Sequence, residues 1–302
     1  NLLPLDEGEQ MPAMLPIDLK ALREQAPEGD ELDDIEGEIV EREEVEELAE
    51  DEEGDEADGQ DEPTGAYIFM ATANGTVKKT PLVQFSKPRS AGLIALRLEE
   101  GDTLIAAAVT DGAREVMMFS DGGKVIRFKE SKVRTMGRTA RGVRGMRLPE
   151  GQHIISMLIP EADAQILTAS ERGYGKRTAM AEFPRRGRGG QGVIAMVSNE
   201  RNGKLVGAVQ VLDGEEIMLI SDQGTLVRTR VDEVSSLSRN TQGVTLIKLA
   251  SDETLVGLER VQEPSGVDEV EVDVLAADEY PVDDAGELEQ PVADDAPADS
   301  DE

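Results

Sequence analysis

Short runs of alternating apolar and polar residues fill the middle of the chain, and glycine turns separate them. An apolar run at residues 117–120 meets a turn at 121–123, and an alternating run follows at 125–129. Two such runs joined by a glycine turn predict a β-hairpin. A loop rich in arginine, residues 134–147, then leads through Gly142 into another alternating run. The predicted unit is therefore a hairpin followed by a cationic loop.

This unit recurs four times with a period close to fifty residues. The last glycines of the turns are 48, 50 and 51 residues apart by subtraction of their numbers: Gly75, Gly123, Gly173 and Gly224. A cation lies four residues after each of them: Lys79, Arg127, Arg177 and Arg228. A second glycine follows in each copy: Gly92, Gly142, Gly192 and Gly243. The last three of these have an arginine four residues before them: Arg138, Arg188 and Arg239.

A period near fifty with about four short strands per copy is typical of blade-repeat proteins. The alternative is a β-sandwich of four unrelated hairpins, but a sandwich has no reason to keep loop cations in phase. We therefore predict an all-β pinwheel or propeller with blades at about 66–111, 112–161, 162–213 and 214–262. Residues 1–17 are similar in pattern to the end of a repeat, so we expect them to be the end of a truncated blade.

The net charge of −33 is divided unevenly along the chain. Residues 66–262 contain 28 Lys and Arg and 22 Asp and Glu, whereas the remaining residues contain 3 and 42. The acidic segments 18–65 and 263–302 are predicted to be a disordered insert and a disordered tail, because they are highly charged and poor in apolar residues. A basic body with acidic extensions indicates a protein that interacts with nucleic acid. The alternative is that the acidic segments only keep the protein soluble.

Catalytic and metal chemistry find little support in the sequence. The pattern G-x-G-x-x-G at residues 187–192 precedes an apolar strand-like run instead of the helix that dinucleotide binding needs. His153 is the only histidine, and Tyr174 lies inside a glycine turn. We predict no catalytic residue and no metal site. The absence of cysteine and of a long apolar run leads us to expect a cytoplasmic protein.

Cations at fixed points of each blade would form a belt with regular spacing, which suits contacts to DNA phosphates that carry no sequence information. The alternative is a protein-interaction propeller in which the arginines only solvate the loops. The predicted DNA-binding residues are Lys79, Arg127, Arg134, Arg138, Arg141, Arg144, Arg177, Arg185, Arg186, Arg188, Arg228 and Arg239.

Several segments resemble the C-terminal DNA-wrapping region of bacterial DNA gyrase A subunits. They are residues 69–80 (FMATANGTVKKT), 125–131 (VIRFKES), 173–178 (GYGKRT), 224–230 (GTLVRTR) and 239–243 (RNTQG). Residues 185–192 also look like the arginine-glycine box of that family, although the family has its box in the first blade. The insert at 18–64 departs from the family pattern.

The resemblance implies a six-bladed β-pinwheel that binds and wraps double-stranded DNA without sequence preference. It also implies a chromosome-associated protein whose partners are the remainder of the gyrase A subunit, together with the gyrase B subunit, in an A2B2 type IIA topoisomerase. That assembly would introduce negative supercoils, with ATP and Mg²⁺ bound in other parts of it and no cofactor in this chain. A C-terminal domain of topoisomerase IV is the alternative within the same fold.

The acidic tail leads to a first prediction. Residues 263–302 contain 16 acidic and no basic residues. A tethered segment reaches an effective concentration on the order of millimolar at a nearby site, so the tail should compete with DNA for the cationic loops. We expect a chain ending at Glu263 to bind duplex DNA more tightly than the intact chain at low salt, with a smaller difference at high salt. Identical titration curves of both chains at low salt would contradict this expectation.

Overall fold

The computed structural model describes Leu15 and residues 65–87 and 92–261. The predicted insert at 18–65 and tail at 263–302 lie outside the described residues, except for Gly65. The same holds for the predicted truncated blade at 1–17, of which Leu15 alone is described.

The described residues form antiparallel sheets and four short 3-10 helices, so the predicted all-β blade fold is confirmed. The first hairpin and its third strand are β1 (Tyr67–Thr72), β2 (Thr76–Pro81) and β3 (Leu104–Thr110). The second set comprises β4 (Glu115–Ser120), β5 (Lys124–Lys129), β6 (Val143–Arg144) and β7 (Ile154–Leu158). The third set comprises β8 (Gln165–Ser170), β9 (Tyr174–Ala179), β10 (Val193–Ile194) and β11 (Leu205–Val211). The fourth set comprises β12 (Glu216–Ser221), β13 (Leu226–Arg230), β14 (Val244–Thr245) and β15 (Leu255–Val261). The 3-10 helices follow the second strand of each hairpin, at Leu82–Phe85, Glu130–Lys132, Met180–Glu182 and Val231–Glu233.

Each predicted hairpin is present, and its turn depends on a glycine. In the second copy, Met118 of β4 pairs with Ile126 of β5, and the turn between them ends at Gly123. Gly123 has φ of +79°, a left-handed conformation that glycine adopts without steric cost. The amide of Gly123 donates a hydrogen bond of 2.9 Å to the Ser120 carbonyl, which closes the turn.

The sheets do not coincide with the sequence repeats, because each of the last three repeats donates one short strand to the sheet before it. The strand orders are β3-β1-β2-β6, β7-β4-β5-β10 and β11-β8-β9-β14. Strand β6 thus belongs to the second repeat in sequence and to the first sheet in space. We call the four sheets blades 1 to 4 and the strands β6, β10 and β14 the exchanged strands.

The apolar core lies between neighbouring blades. Phe69 of blade 1 is in one cluster with Val116 and Phe128 of blade 2. Phe119 of blade 2 is in the next cluster with Phe183, and their rings meet edge to face at 6.4 Å between centroids. Central strands are therefore buried on both faces, which explains why residues such as 116–119 are continuously apolar.

Blade 4 has three strands among the described residues, in the order β13-β12-β15. Within the described part of the chain no exchanged strand pairs with β13, and Leu226 is 53% exposed. Val77 and Val125, which lie on hairpin strands that an exchanged strand covers, are 1% exposed.

Alanine substitutions at two glycines can be compared to test how closely an exchanged strand packs against its hairpin. Gly192 and Gly151 have φ of +71° and +74°, so alanine at either site is strained by about 1–2 kcal/mol. A Cβ at Gly192 would lie 2.3 Å from the Val125 carbonyl oxygen, whereas a Cβ at Gly151 would have no atom within 4 Å. Gly192→Ala should therefore lower the free energy of unfolding by about 1–3 kcal/mol more than Gly151→Ala. Urea denaturation of both variants measures this, and equal losses would contradict the proposed role of Gly192.

Candidate nucleic-acid interface

Three arginine-bearing loops lie along one edge of blades 1 to 3. We call residues 134–147, 184–197 and 235–248 the first, second and third arginine loops. Each loop begins against the second hairpin strand of the preceding repeat. The amides of Met136, Arg186 and Leu237 each donate a hydrogen bond of 2.8 Å to the carbonyls of Lys79, Arg127 and Arg177, respectively. Each loop then ends in an exchanged strand, so both of its ends are fixed to the same blade.

The three loops are also hydrogen-bonded to one another. The Gly189 amide of the second loop donates to the Gly145 carbonyl of the first at 2.7 Å. The Val197 amide of the second loop donates to the Thr241 carbonyl of the third at 2.9 Å. The loops thus form one continuous strip across three blades, which we call the cationic ridge.

Several of the predicted DNA-binding residues are exposed on the ridge, namely Arg141, Arg144, Arg185 and Arg186. Arg147 of the first loop, which is not among the predicted site residues, is exposed beside them. Arg134 and Arg138 are half-buried in the same loop.

Arg188 and Arg239 are half-buried and connect adjacent loops. Arg188 of the second loop donates to the Arg144 carbonyl of the first at 3.2 Å. Arg239 of the third loop donates to the Ile194 carbonyl of the second at 3.1 Å. Two of the three arginines that are in phase in the sequence thus make equivalent links between loops.

Two of the strand cations hold neighbouring repeats together. The guanidinium of Arg127 pairs with Glu115 and donates to the carbonyls of Met180 and Phe183 in the next repeat, at 3.1 and 3.0 Å. The guanidinium of Arg177 donates to the Val234 carbonyl at 2.8 Å and pairs with Asp213. Their side chains are only 19% and 12% exposed.

The other two strand cations have different surroundings. Lys79 is buried, and its Nζ lies 5.1 Å from the centroid of the Tyr67 ring. Arg228 is 55% exposed and pairs with Glu216 of the same hairpin. The phase of these cations in the sequence therefore reflects a repeated position in the strand, and their environments vary from blade to blade. DNA contact by each of the twelve residues stays a prediction.

Glu115 joins the ridge to the hairpin beneath it. Burial of the Glu115 carboxylate raises its pKa, but hydrogen bonds and attraction from Arg127 and Arg185 outweigh this effect and leave the pKa below its usual value. Arg185 of the second loop donates to Glu115 at 3.0 Å. One carboxylate therefore fixes both the half-buried Arg127 and the exposed Arg185.

The repeats match the model of a known family. The family of the DNA gyrase C-terminal domain, a beta-propeller, matches residues 66–111, 114–161, 164–211 and 215–262. The chain belongs to this family. Among curated relatives, the DNA gyrase A subunit of Pseudomonas aeruginosa is 73% identical over 274 residues, which are 89% of this chain and 29% of that protein. The DNA gyrase A subunit of Escherichia coli is 56% identical over 211 residues, 70% of this chain and 24% of that protein. The chain thus spans less than a third of the length of these relatives.

Solved structures of related C-terminal domains have the same fold. The chain is 27% identical to a DNA gyrase A C-terminal domain, with a TM-score of 0.59 over 72% of this chain and 74% of the other. It is also 27% identical to the C-terminal domain of a DNA topoisomerase IV, with a TM-score of 0.63 over 67% of this chain and 64% of the other. The gyrase interpretation is favoured, because the sequence relatives at 56–73% identity are gyrase A subunits.

Two buried lysines of this gyrase-family domain are not among the predicted site residues. Lys78 and Lys176 lie three residues after the turn glycines, one position before the strand cations, and both are fully buried. Lys78 Nζ donates to the carbonyls of Arg138 and Ala140 in the first loop, at 2.6 and 3.1 Å. Lys176 Nζ donates to the carbonyls of Ser238 and Arg239 in the third loop, at 2.7 and 2.6 Å. The sequence does carry a signal for them: each lysine lies next to a strand cation, so it is on the opposite face of the strand, which faces inward.

The described part of this gyrase-family domain offers no metal centre. Within it there is no group of three or more His, Cys, Asp or Glu side chains that could hold an ion.

The centroid of the Tyr174 ring lies 4.7 Å from the Arg201 guanidinium carbon, and a hydrogen bond with Arg201 lowers the pKa of the Tyr174 hydroxyl. The sequence predicts no catalytic role for Tyr174. No helix among the described residues is long and apolar enough to cross a membrane.

The buried Lys176 makes stability depend on pH. Burial lowers the pKa of Lys176 from its usual 10.5 to about 8, and attraction from Glu182 opposes this shift only in part. Between these values the unfolded chain binds the proton that the folded chain has released, so this group makes the free energy of unfolding rise with pH. We expect the difference in unfolding free energy between the wild type and Lys176→Met to shift in favour of the wild type between pH 8 and pH 10. Urea denaturation at several pH values measures the difference, and a constant value would contradict the burial of the charge.

Proposed function

We propose that the chain binds double-stranded DNA along the cationic ridge, without sequence preference, and wraps it. The observation that carries this proposal is the continuity of the ridge, in which hydrogen bonds join three arginine loops on successive blades. Exposed guanidinium groups on the first two loops and the half-buried Arg239 on the third can contact phosphates along the ridge. Phosphate contacts position a duplex but do not read its sequence.

In the whole protein, we propose that this domain serves DNA gyrase. The wrapped segment would be presented to the strand-passage part of the enzyme, so that ATP-driven passage introduces negative supercoils. The partners would be the remainder of the A subunit, together with the B subunit, in an A2B2 assembly in the cytoplasm and on the chromosome. The names of the sequence relatives and the family model support this assignment. ATP and Mg²⁺ would be bound elsewhere in that assembly.

The ridge residues divide into groups with different proposed roles. The exposed arginines would contact phosphate directly; they are Arg141, Arg144, Arg185 and Arg186. Arg127 and Arg177 already donate to protein carbonyls and carboxylates, so they would act mainly by holding the loops in place. We propose that the half-buried Arg239 does both, since its guanidinium has several donors and one of them bonds the Ile194 carbonyl of the neighbouring loop. Arg188 donates to the carbonyls of Lys132 and Arg144, so it would mainly hold the loops together.

The charge of a ridge arginine should determine the salt dependence of DNA binding. Each phosphate contact contributes about 0.9 to the slope of log affinity against log salt concentration. Arg144→Gln should reduce the slope by about that amount on any duplex, whereas Arg144→Lys should preserve it because the charge remains. Fluorescence titrations with two duplexes of unrelated sequence, at several salt concentrations, measure the slopes.

The same measurements test the proposed function as a whole. Absence of binding at low salt, or a strong preference for one of the two sequences, would contradict it and would favour the protein-interaction propeller. Wrapping is tested separately by sealing a nicked DNA circle in the presence of the chain. Wrapping changes the linking number of the closed circle, whereas binding without wrapping leaves it unchanged.

A further inference from the structure

We propose that Lys176 is a positioning residue, which holds the third arginine loop in the conformation that presents Arg239 to phosphate. The inference rests on the proposed function for its DNA part, whereas its structural part concerns the loop alone. Lys78 has the same relation to the first arginine loop and Arg138.

The first step is the geometry around the Lys176 ammonium. Its Nζ is surrounded by four oxygens of the third loop: the carbonyls of Ser238, Arg239 and Thr241 and the hydroxyl of Thr241, at 2.7, 2.6, 3.3 and 3.1 Å. One ammonium thus fixes residues 238–241, which include Arg239. Three carbonyls of the loop therefore turn inward to a single cation.

The second step is that the fold itself does not need a lysine here. The equivalent residues in blades 2 and 4 are Ile126 and Val227, which lie at the same position of the same strand. Ile126 is buried to 2% exposure, so an aliphatic side chain fits this position in the sheet. A buried ammonium costs desolvation free energy that an aliphatic residue avoids, so its presence indicates a specific arrangement of its acceptors.

The third step concerns the side of the loop that faces solvent. Carbonyl oxygens carry the negative ends of peptide dipoles and would repel a phosphate. Lys176 binds three of these carbonyls on the inner side of the loop. The outer side therefore carries the Arg239 side chain, and these three carbonyls do not face a phosphate there. The Thr241 carbonyl also accepts the Val197 amide, and Arg239 donates to the Ile194 carbonyl, so the same arrangement joins the third loop to the second.

The second loop provides a natural contrast. Where the third loop has residues 238–241, the second has residues 187–190, three of which are glycine, and Ile126 lies beneath them. This loop is held from outside instead, where Arg188 donates to the Lys132 carbonyl at 2.8 Å. A buried lysine therefore accompanies the loops that contain fewer glycines.

A double-mutant cycle tests whether Lys176 acts through Arg239. We expect Lys176→Met and Arg239→Gln each to weaken binding to a 40-bp duplex by about two- to fivefold, the range for an exposed ion pair. The double variant should bind no more weakly than Arg239→Gln alone, because Arg239 is the only cation within residues 235–243. Ile126→Met, which places the same side chain at the equivalent position of blade 2, is the matched control and should bind like the wild type.

Hydrogen exchange gives a readout that does not depend on DNA. Amides of residues 237–243 should exchange faster in Lys176→Met, whereas amides of the central strand β8 should keep their protection. Thr241→Val, which removes one of the four oxygens, should produce a smaller acceleration and serves if Lys176→Met does not fold. Unchanged exchange in the loop, or additive losses of DNA affinity in the cycle, would overturn the inference. Failure of the wild type to bind DNA would overturn the proposed function, and the exchange data would still decide the role of Lys176 in the loop.

Discussion

The backbone pairing of each exchanged strand with the hairpin before it is the interaction on which the rest of the structure depends. Only two residues of each exchanged strand pair, as at Thr76–Arg144 and Val77–Val143, but this contact fixes the end of an arginine loop. It also closes the apolar core between two blades, because Val143 and Met146 belong to the cluster that contains Phe69 and Phe128. The same short strand thus completes a sheet, closes the core between two blades and fixes the end of an arginine loop.

The cations beneath the ridge stabilise the fold, whereas the arginines on its surface are exposed to solvent. Arg127 and Arg177 bond carbonyls of the next repeat and are shielded by carboxylates, so they connect blades. Lys176 donates to loop carbonyls, and no carboxylate of the described residues is hydrogen-bonded to it, so its charge shapes a loop. The exposed arginines above them remain available to solvent. The cations of the ridge therefore fall into three groups: those that connect blades, those that shape a loop and those that are exposed to solvent.

The hairpins, the repeat and the arginine loops could be predicted from the sequence, because glycine turns and alternating strands are local features. The exchanged strands could not, because the pairing of Val143 with Val77 joins residues 66 positions apart and leaves no local signal. The strand cations illustrate the same limit. Arg127 and Arg228 occupy one register position, but the first is 19% exposed beneath the next repeat and the second is 55% exposed. The inward direction of Lys176 likewise depends on which face of the strand meets the next loop.

Strand exchange has a consequence for how such arrays can change in evolution. Gly142-Val143, Gly192-Val193 and Gly243-Val244 are nearly equivalent, and each meets an equivalent hairpin. Deletion or duplication of one whole period would therefore place the Gly-Val pair of another repeat against a hairpin and keep the two-residue backbone pairing. A change of half a period would damage two sheets at once. The number of blades can thus vary by recombination in whole steps, and each step shortens or lengthens the cationic ridge by one arginine loop.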